Sequence, residues 1–276
     1  PHAPYAGAQT WASDFLPGCH QGTHVVPGAD PIPNIAPRVA SPRLQSMELD
    51  LLRELNSLQQ DETAADAAVN ARIRSFETAF GMQSASPEAF DITQEDAPTL
   101  ALYGMQPSDR SGFGWQCLMA RRLVERGVRF VELIDVGSNS NWDSHGNMGD
   151  HEGLARNVDK PMAGLIKDLK RRGMLERTLI VWTTEFGRTP FNMTANHAGR
   201  EHHNFCFTSW MAGGGIQGGV SYGVSDEYGI MAQEDSAHTH DLHATILHQL
   251  GLNHEQLTYR HAGRDFRLTD VHGNVL

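Results

Sequence analysis

The stretch Thr178-Leu179-Ile180-Val181-Trp182-Thr183-Thr184-Glu185-Phe186-Gly187-Arg188 decides the expected fold, because its character changes half-way along. The first six residues are aliphatic, aromatic or β-branched with no polar alternation, the pattern of a strand covered on both faces. A carboxylate, a glycine and a guanidinium follow where that strand ends. A run of the same kind lies upstream, Val128-Arg129-Phe130-Val131-Glu132-Leu133-Ile134. Between the two, a polar loop over 137–150 leads into a helix carrying Leu154, Val158, Met162, Leu165, Ile166 and Leu169, stopped at Gly173. This β-loop-α-β order predicts an α/β architecture with a mostly parallel sheet and helices on both faces. Such sheets carry their functional loops beyond the carboxyl ends of the strands. A third short strand is expected at 205–211, and a last helix over 241–250 that stops at Gly251.

Upstream of this core the pattern differs. Residues 1–40 hold Pro4, Pro17, Pro27, Pro31, Pro33 and Pro37 among several glycines, and read as an extended, loop-rich segment. Ser41 and Pro42 then open a helix with Leu44, Met47, Leu51, Leu52, Leu55 and Leu58 at three- and four-residue steps. A second helix from about Ala64 carries Val69, Ile73, Phe76 and Phe80, so a helical hairpin serving as a packing element is predicted. A further helix is expected over 109–126, with Gly127 as its stop. The expected organisation is one partial domain over 1–276: a loop-rich segment and hairpin to residue 106, and an α/β core from 107.

Composition narrows the function classes. With 276 residues, 39% hydrophobic and 20% charged, the chain can bury a core. A net charge of -11 opposes a nucleic-acid partner, whose phosphates the field would repel. No run approaches the roughly 20 apolar residues of a membrane span. Cys19, Cys117 and Cys206 are far apart with no CxxC pair, so neither a zinc ribbon nor a disulfide framework is indicated.

Twelve of the fifteen histidines lie from His145 onward, most beside a carboxylate in a short polar loop, which solubility alone does not require. In Asn141-Trp142-Asp143-Ser144-His145-Gly146, Asp143 and His145 alternate and can face one ion, although a capping Asp beside a surface His gives the same pattern. Glu185 suits a hard cation and Arg188 an anionic substrate, with a plain salt bridge as the other reading. In Gly199-Arg200-Glu201-His202-His203-Asn204 the adjacent histidines cannot both face one point in a regular strand. In a loop, His202 and His203 can serve one ion, two ions, or an ion and a substrate. Arg200 joins Arg188 as a candidate anion holder. His238 and His240 open the final helix as further candidate ligands, whereas His243 falls inside the helical pattern and packs or is solvated. Together these donors suit Zn, Mn or Fe better than an all-oxygen Ca site, and they point to a metal-dependent hydrolase with one or two divalent ions.

The runs TLIVWTTEFGRTP, GREHH, GGGIQGG, HTHDLHATILHQLGL and LTYRHAGRDFRLTDVHG, with FLPGCHQGT and NWDSHG upstream, resemble the uncharacterised sulfatase-like family catalogued as domain of unknown function 1501. That family is assigned to the alkaline phosphatase superfamily. The resemblance implies a three-layer α/β sandwich of alkaline phosphatase type and hydrolysis of phosphate or sulfate esters, of small molecules or carbohydrates. It implies that Asp143 and His145 hold one metal, completed by His238. Glu185 stands where the superfamily has Asp-His-Gly, and Glu185-Phe186-Gly187 lacks that imidazole, so a second metal requires His202 or His203. Zn or Mn is favoured, with Fe, Ca and Mg not distinguished.

Superfamily members place a first metal-binding Asp and the nucleophile after an early strand. No segment before Val128 offers one, so the chain is expected to lack its amino-terminal part, the nucleophile lying upstream. Family members often carry an export signal, which implies a periplasmic or cell-surface location. The alternative is a non-catalytic metal-binding or carbohydrate-associated surface protein.

Overall fold

The computed structural model describes residues 7–14, 16–35, 41–63, 67–135, 141–192 and 198–276. Pro4, Pro37, the expected helix start at Ala64 and the first residues of the 137–150 loop lie outside them. The chain divides into two compact units, one of residues 1–100 with 105–136, the other of residues 101–104 with 137–276.

The first unit is helical. Short 3₁₀ turns at Gly7–Trp11 and Gly18–His20 precede α1 (Pro42–Thr63), α2 (Ala67–Phe90), α3 (Ala97–Leu102, whose last two residues belong to the second unit) and α4 (Gly112–Glu125). Its core gathers Ala89, Ile92, Leu100, Met105, Trp115, Cys117, Leu118 and Met119, all buried. Phe90 stacks on Trp115 with ring centroids 6.2 Å apart. Burial raises the thiol pKa of Cys117 to about 12, so it stays protonated and acts as a small apolar side chain.

Two arginines of α4 fasten this unit. Arg122 donates from Nε to the Ala89 carbonyl and from Nη2 to the Glu88 carbonyl, each at 2.7 Å. Those carbonyls end α2, where the last turn leaves acceptors without intrahelical donors and a cation is favoured. Glu95 closes the arrangement, paired with Arg121 at 2.6 Å and with Arg122. The side chains of Arg121 and Glu95 are only 1% and 6% exposed, so Glu95 supplies the buried countercharge for the two guanidinium groups, Arg121 also reaching Glu125 at 2.7 Å.

The second unit holds α5 (His151–Arg171), α6 (Thr239–Gln249) and short strands: β1 (Ile180–Trp182), β2 (Gly187–Arg188), β3 (His202–His203), β4 (Trp210–Ala212), β5 (Val224–Ser225), β6 (Ala232–Glu234), β7 (Tyr259–His261) and β8 (Arg264–Phe266). They pair two by two and antiparallel: β1 with β4, β2 with β3, β5 with β6, β7 with β8. Asp168 of α5 is fully buried and accepts a hydrogen bond from the Tyr103 hydroxyl at 2.9 Å. Gly164 lets the backbone of this helix approach Leu102, whose carbonyl oxygen would lie 2.4 Å from an added Cβ.

The expected α/β three-layer sandwich of alkaline phosphatase type is therefore overturned. The described residues are rich in helix, and among them the strands form only two-stranded antiparallel ladders. Continuous hydrophobicity in these runs does not reflect burial on both faces. Residues 128–134 form no ladder, and Phe130 is 78% exposed. The run 178–183 shortens to β1, whose partner is the antiparallel β4 rather than a parallel neighbour.

Glu95→Gln should lower unfolding stability by about 3 kcal/mol at neutral pH, because it removes the buried carboxylate that two guanidinium groups share. Burial pushes the Glu95 carboxyl up, but hydrogen bonds and charge from Arg121 and Arg122 outweigh it and hold the pKa below the ordinary value. A depressed carboxylate stabilises above its unfolded pKa and loses that contribution as pH falls through the folded one. The gap between wild type and variant, read by denaturant titration, should thus be full at pH 7 and close as the pH falls through the lowered pKa of the folded carboxyl.

Candidate metal centre

The centre is built on two short pairings that the sequence dictates locally. In the 142–151 loop, Ser144 is buried and donates to the Asn147 carbonyl at 2.6 Å. Asn147 in turn accepts from the Gly149 amide at 3.0 Å, capping the turn that leads into α5. His151 closes the loop through its Nε2, 2.8 Å from the Trp142 carbonyl oxygen. Along its edge the loop pairs with residues 198–200: Ala198 N to Gly146 O at 3.1 Å, Met148 N to Ala198 O at 3.1 Å, and Arg200 N to Ser144 O at 3.3 Å. The approach is so close that a Cβ on Gly199 would sit 1.8 Å from the His145 carbonyl oxygen.

The second pairing is β2 with β3, Arg188 opposite His202 and Gly187 opposite His203. Directly opposed residues project to the same face of an antiparallel pair, so Arg188 and His202 share one face and His203 takes the other. His203 is buried there, its Nε2 2.7 Å from the Ile230 carbonyl oxygen. Thr189 N to Glu201 O at 2.9 Å and Glu201 N to Thr189 Oγ1 at 3.1 Å extend the pairing to Glu201.

On the shared face everything converges on one oxygen. Asp143 Oδ1 lies 2.9 Å from His145 Nε2, 3.0 Å from His202 Nε2 and 2.6 Å from Arg188 Nη2. One ligand atom from each of Asp143, His145 and His202 lies within 4.8 Å of the others. The hydrogen bond from His202, then the bond and charge of Arg188, hold the Asp143 carboxyl at about 2, so it is ionised at any physiological pH. Phe186 backs the His202 ring with centroids 4.2 Å apart.

The donor set fits a divalent ion. Neighbouring ligands around a first-row ion at 2.0 to 2.2 Å stand roughly 3 Å apart, as do the oxygen of Asp143 and each imidazole nitrogen. His145 Nδ1 lies 2.8 Å from Glu201 Oε2, the carboxylate partner that orients a ligating imidazole. One carboxylate oxygen and two imidazoles are a set of intermediate hardness, suited to Zn, Mn or Fe. The side chains of Asp143, His145 and His202 are 54%, 42% and 49% exposed, so an ion here would keep open positions toward solvent.

The remaining expected residues are placed elsewhere. Glu185 is on the surface, accepting from the Thr184 hydroxyl at 2.8 Å. Arg200 bonds the Asn192 side chain and the Gly199 carbonyl. His238 is the N-cap of α6, its Nδ1 accepting from the His240 amide at 3.2 Å. His240 stacks on His272 at 5.4 Å, forming a second imidazole cluster with His238, whose ring lies 4.7 Å from that of His240. Asp241 holds this helix start by accepting from the His238 and Asn274 amides at 2.8 and 2.7 Å. Sequence reasoning passed over Glu201 and His272. Glu201 stood inside the quoted Gly199–Asn204 run, and its place immediately before His202 was the available signal.

Gly199→Ala should force residues 198–200 away from the 144–148 loop and separate His202 from Asp143. The expected readout is at least a tenfold loss of Zn or Mn affinity by calorimetry, with far-UV circular dichroism little changed. The model of the protein family described as "Protein of unknown function (DUF1501)" matches residues 2–276. No curated protein and no solved structure matches the chain.

Proposed function

We propose, for a chain that belongs to the DUF1501 family of proteins of unknown function, a metal-dependent hydrolase acting on phosphate or sulfate esters. The observation that carries the reading is the convergence of His145, His202 and Arg188 on Asp143 Oδ1. A divalent ion held by Asp143, His145 and His202 supplies Lewis acidity at an open coordination position. Beside it, Arg188 offers a planar fork of donors suited to a tetrahedral oxyanion. A substrate oxyanion would draw Arg188 away from Asp143, leaving that carboxylate to the cation. Glu201 keeps the His145 ring oriented and its Nε2 basic. Ester hydrolysis and an exported setting rest on the resemblance of the sequence motifs to the uncharacterised sulfatase-like family.

Metal binding without turnover is the competing reading, and the half-exposed ligands favour it. The two are separated by metal analysis combined with a panel of aryl phosphates and aryl sulfates. Wild type should retain one Zn or Mn per chain, and Asp143→Asn should lose it. Glu201→Gln should bind the ion about 10- to 100-fold more weakly. Arg188→Ala should keep the ion and lose turnover. Retained metal with no turnover on any ester would leave only the binding role. Unchanged metal content in Asp143→Asn would remove both.

A further inference from the structure

In α1 the apolar residues Leu44, Met47, Leu51, Leu55 and Leu58 are spaced by three, four, four and three residues. At 3.6 residues per turn they fall on one stripe, within about 40° of Leu51 on either side. The structure leaves this stripe uncovered: the five residues are 55%, 58%, 57%, 50% and 75% exposed. The opposite side of α1, which carries the half-buried Leu49, is tied to α2 by two polar contacts among the described residues. Gln45 bonds Gln83 at 2.7 Å and Arg53 pairs with Glu77 at 3.5 Å. A continuous stripe of five large apolar side chains left this exposed departs from the usual burial pattern.

The spacing itself identifies an occupant. Three-four-four-three reads the same in both directions, so reversing the helix about Leu51 superposes Leu44 on Leu58, Met47 on Leu55 and Leu51 on itself. A two-fold interface requires a patch complementary to its own copy, and this stripe is one. The five residues expose about 600 Å² per copy, at the upper end of what a monomer leaves bare, and about 1,200 Å² for a pair, the lower end of the range of specific interfaces. We propose that the chain forms a homodimer in which the α1 helices of two copies pack antiparallel across a two-fold axis at Leu51.

Sedimentation of the whole chain at micromolar concentration should give twice the chain mass. Leu51→Glu places two carboxylates on the axis and should yield monomers, with an unchanged far-UV spectrum showing that the helix persists. Cysteine trapping gives an independent readout. Leu51→Cys should cross-link to itself under mild oxidation far faster than wild type. Leu44→Cys should cross-link to Leu58→Cys in a mixture but not to itself. Self-linking of Leu44→Cys would indicate a parallel pair and overturn the arrangement. The proposal also fails if the wild-type chain stays monomeric at tens of micromolar, or if Leu51→Glu leaves the dimer intact. A monomer that binds anionic vesicles through this stripe would make a lipid surface the occupant instead, and would equally overturn the dimer.

Discussion

A carboxylate oxygen can satisfy few donors at once, and at Asp143 three groups compete for the same one. Two imidazoles approach at 2.9 and 3.0 Å and a guanidinium at 2.6 Å. Each comes from a separate stretch of chain, so the position of that oxygen depends on the 142–151 loop, on the tight run at Gly199 and on the pairing of β2 with β3. None of these pieces is large. The loop is closed by side-chain bonds of Ser144, Asn147 and His151, and the ladder is two residues long. What holds the site is a set of local hydrogen bonds rather than a wide sheet.

That difference explains how much could be read from the sequence. Helices announced themselves through periodicity and stop signals: Leu154 to Leu169 became α5, and the run ending at Gly127 became α4. The donors of the centre were also legible, because Asp143, His145 and His202 stood in polar runs that no core required. The sheet was not. Residues 128–134 and 178–183 have the β-branched content of buried parallel strands, yet pairing partners are a property of three-dimensional proximity that composition does not carry. The family resemblance reinforced the same error, since motifs that carry ligands do not specify the scaffold behind them.

Placement of the ligands followed a similar division. Adjacent histidines on a strand must point to opposite faces, and His202 and His203 do so, one toward Asp143 and one toward the Ile230 carbonyl. His238 and His240 were legible as a pair, but what surrounds them was not. The His272 ring that completes their cluster comes from more than thirty residues downstream, and only the folded chain brings it there.

Sequence distance carries a consequence for how the molecule assembles. Asp143 and His202 are 59 residues apart, His145 and Glu201 are 56, and Asp143 and Arg188 are 45. Closing loops of that size costs chain entropy before any contact returns it, so these bonds form after the local helices. The start of α6 is tied to Asn274 across 33 residues in the same way. During synthesis α5 can wind while the chain is still growing, but the donors around Asp143 meet only once residue 202 has emerged. An ion present at that moment would find its ligands arriving one after another, and could act as the nucleus on which this part of the chain closes.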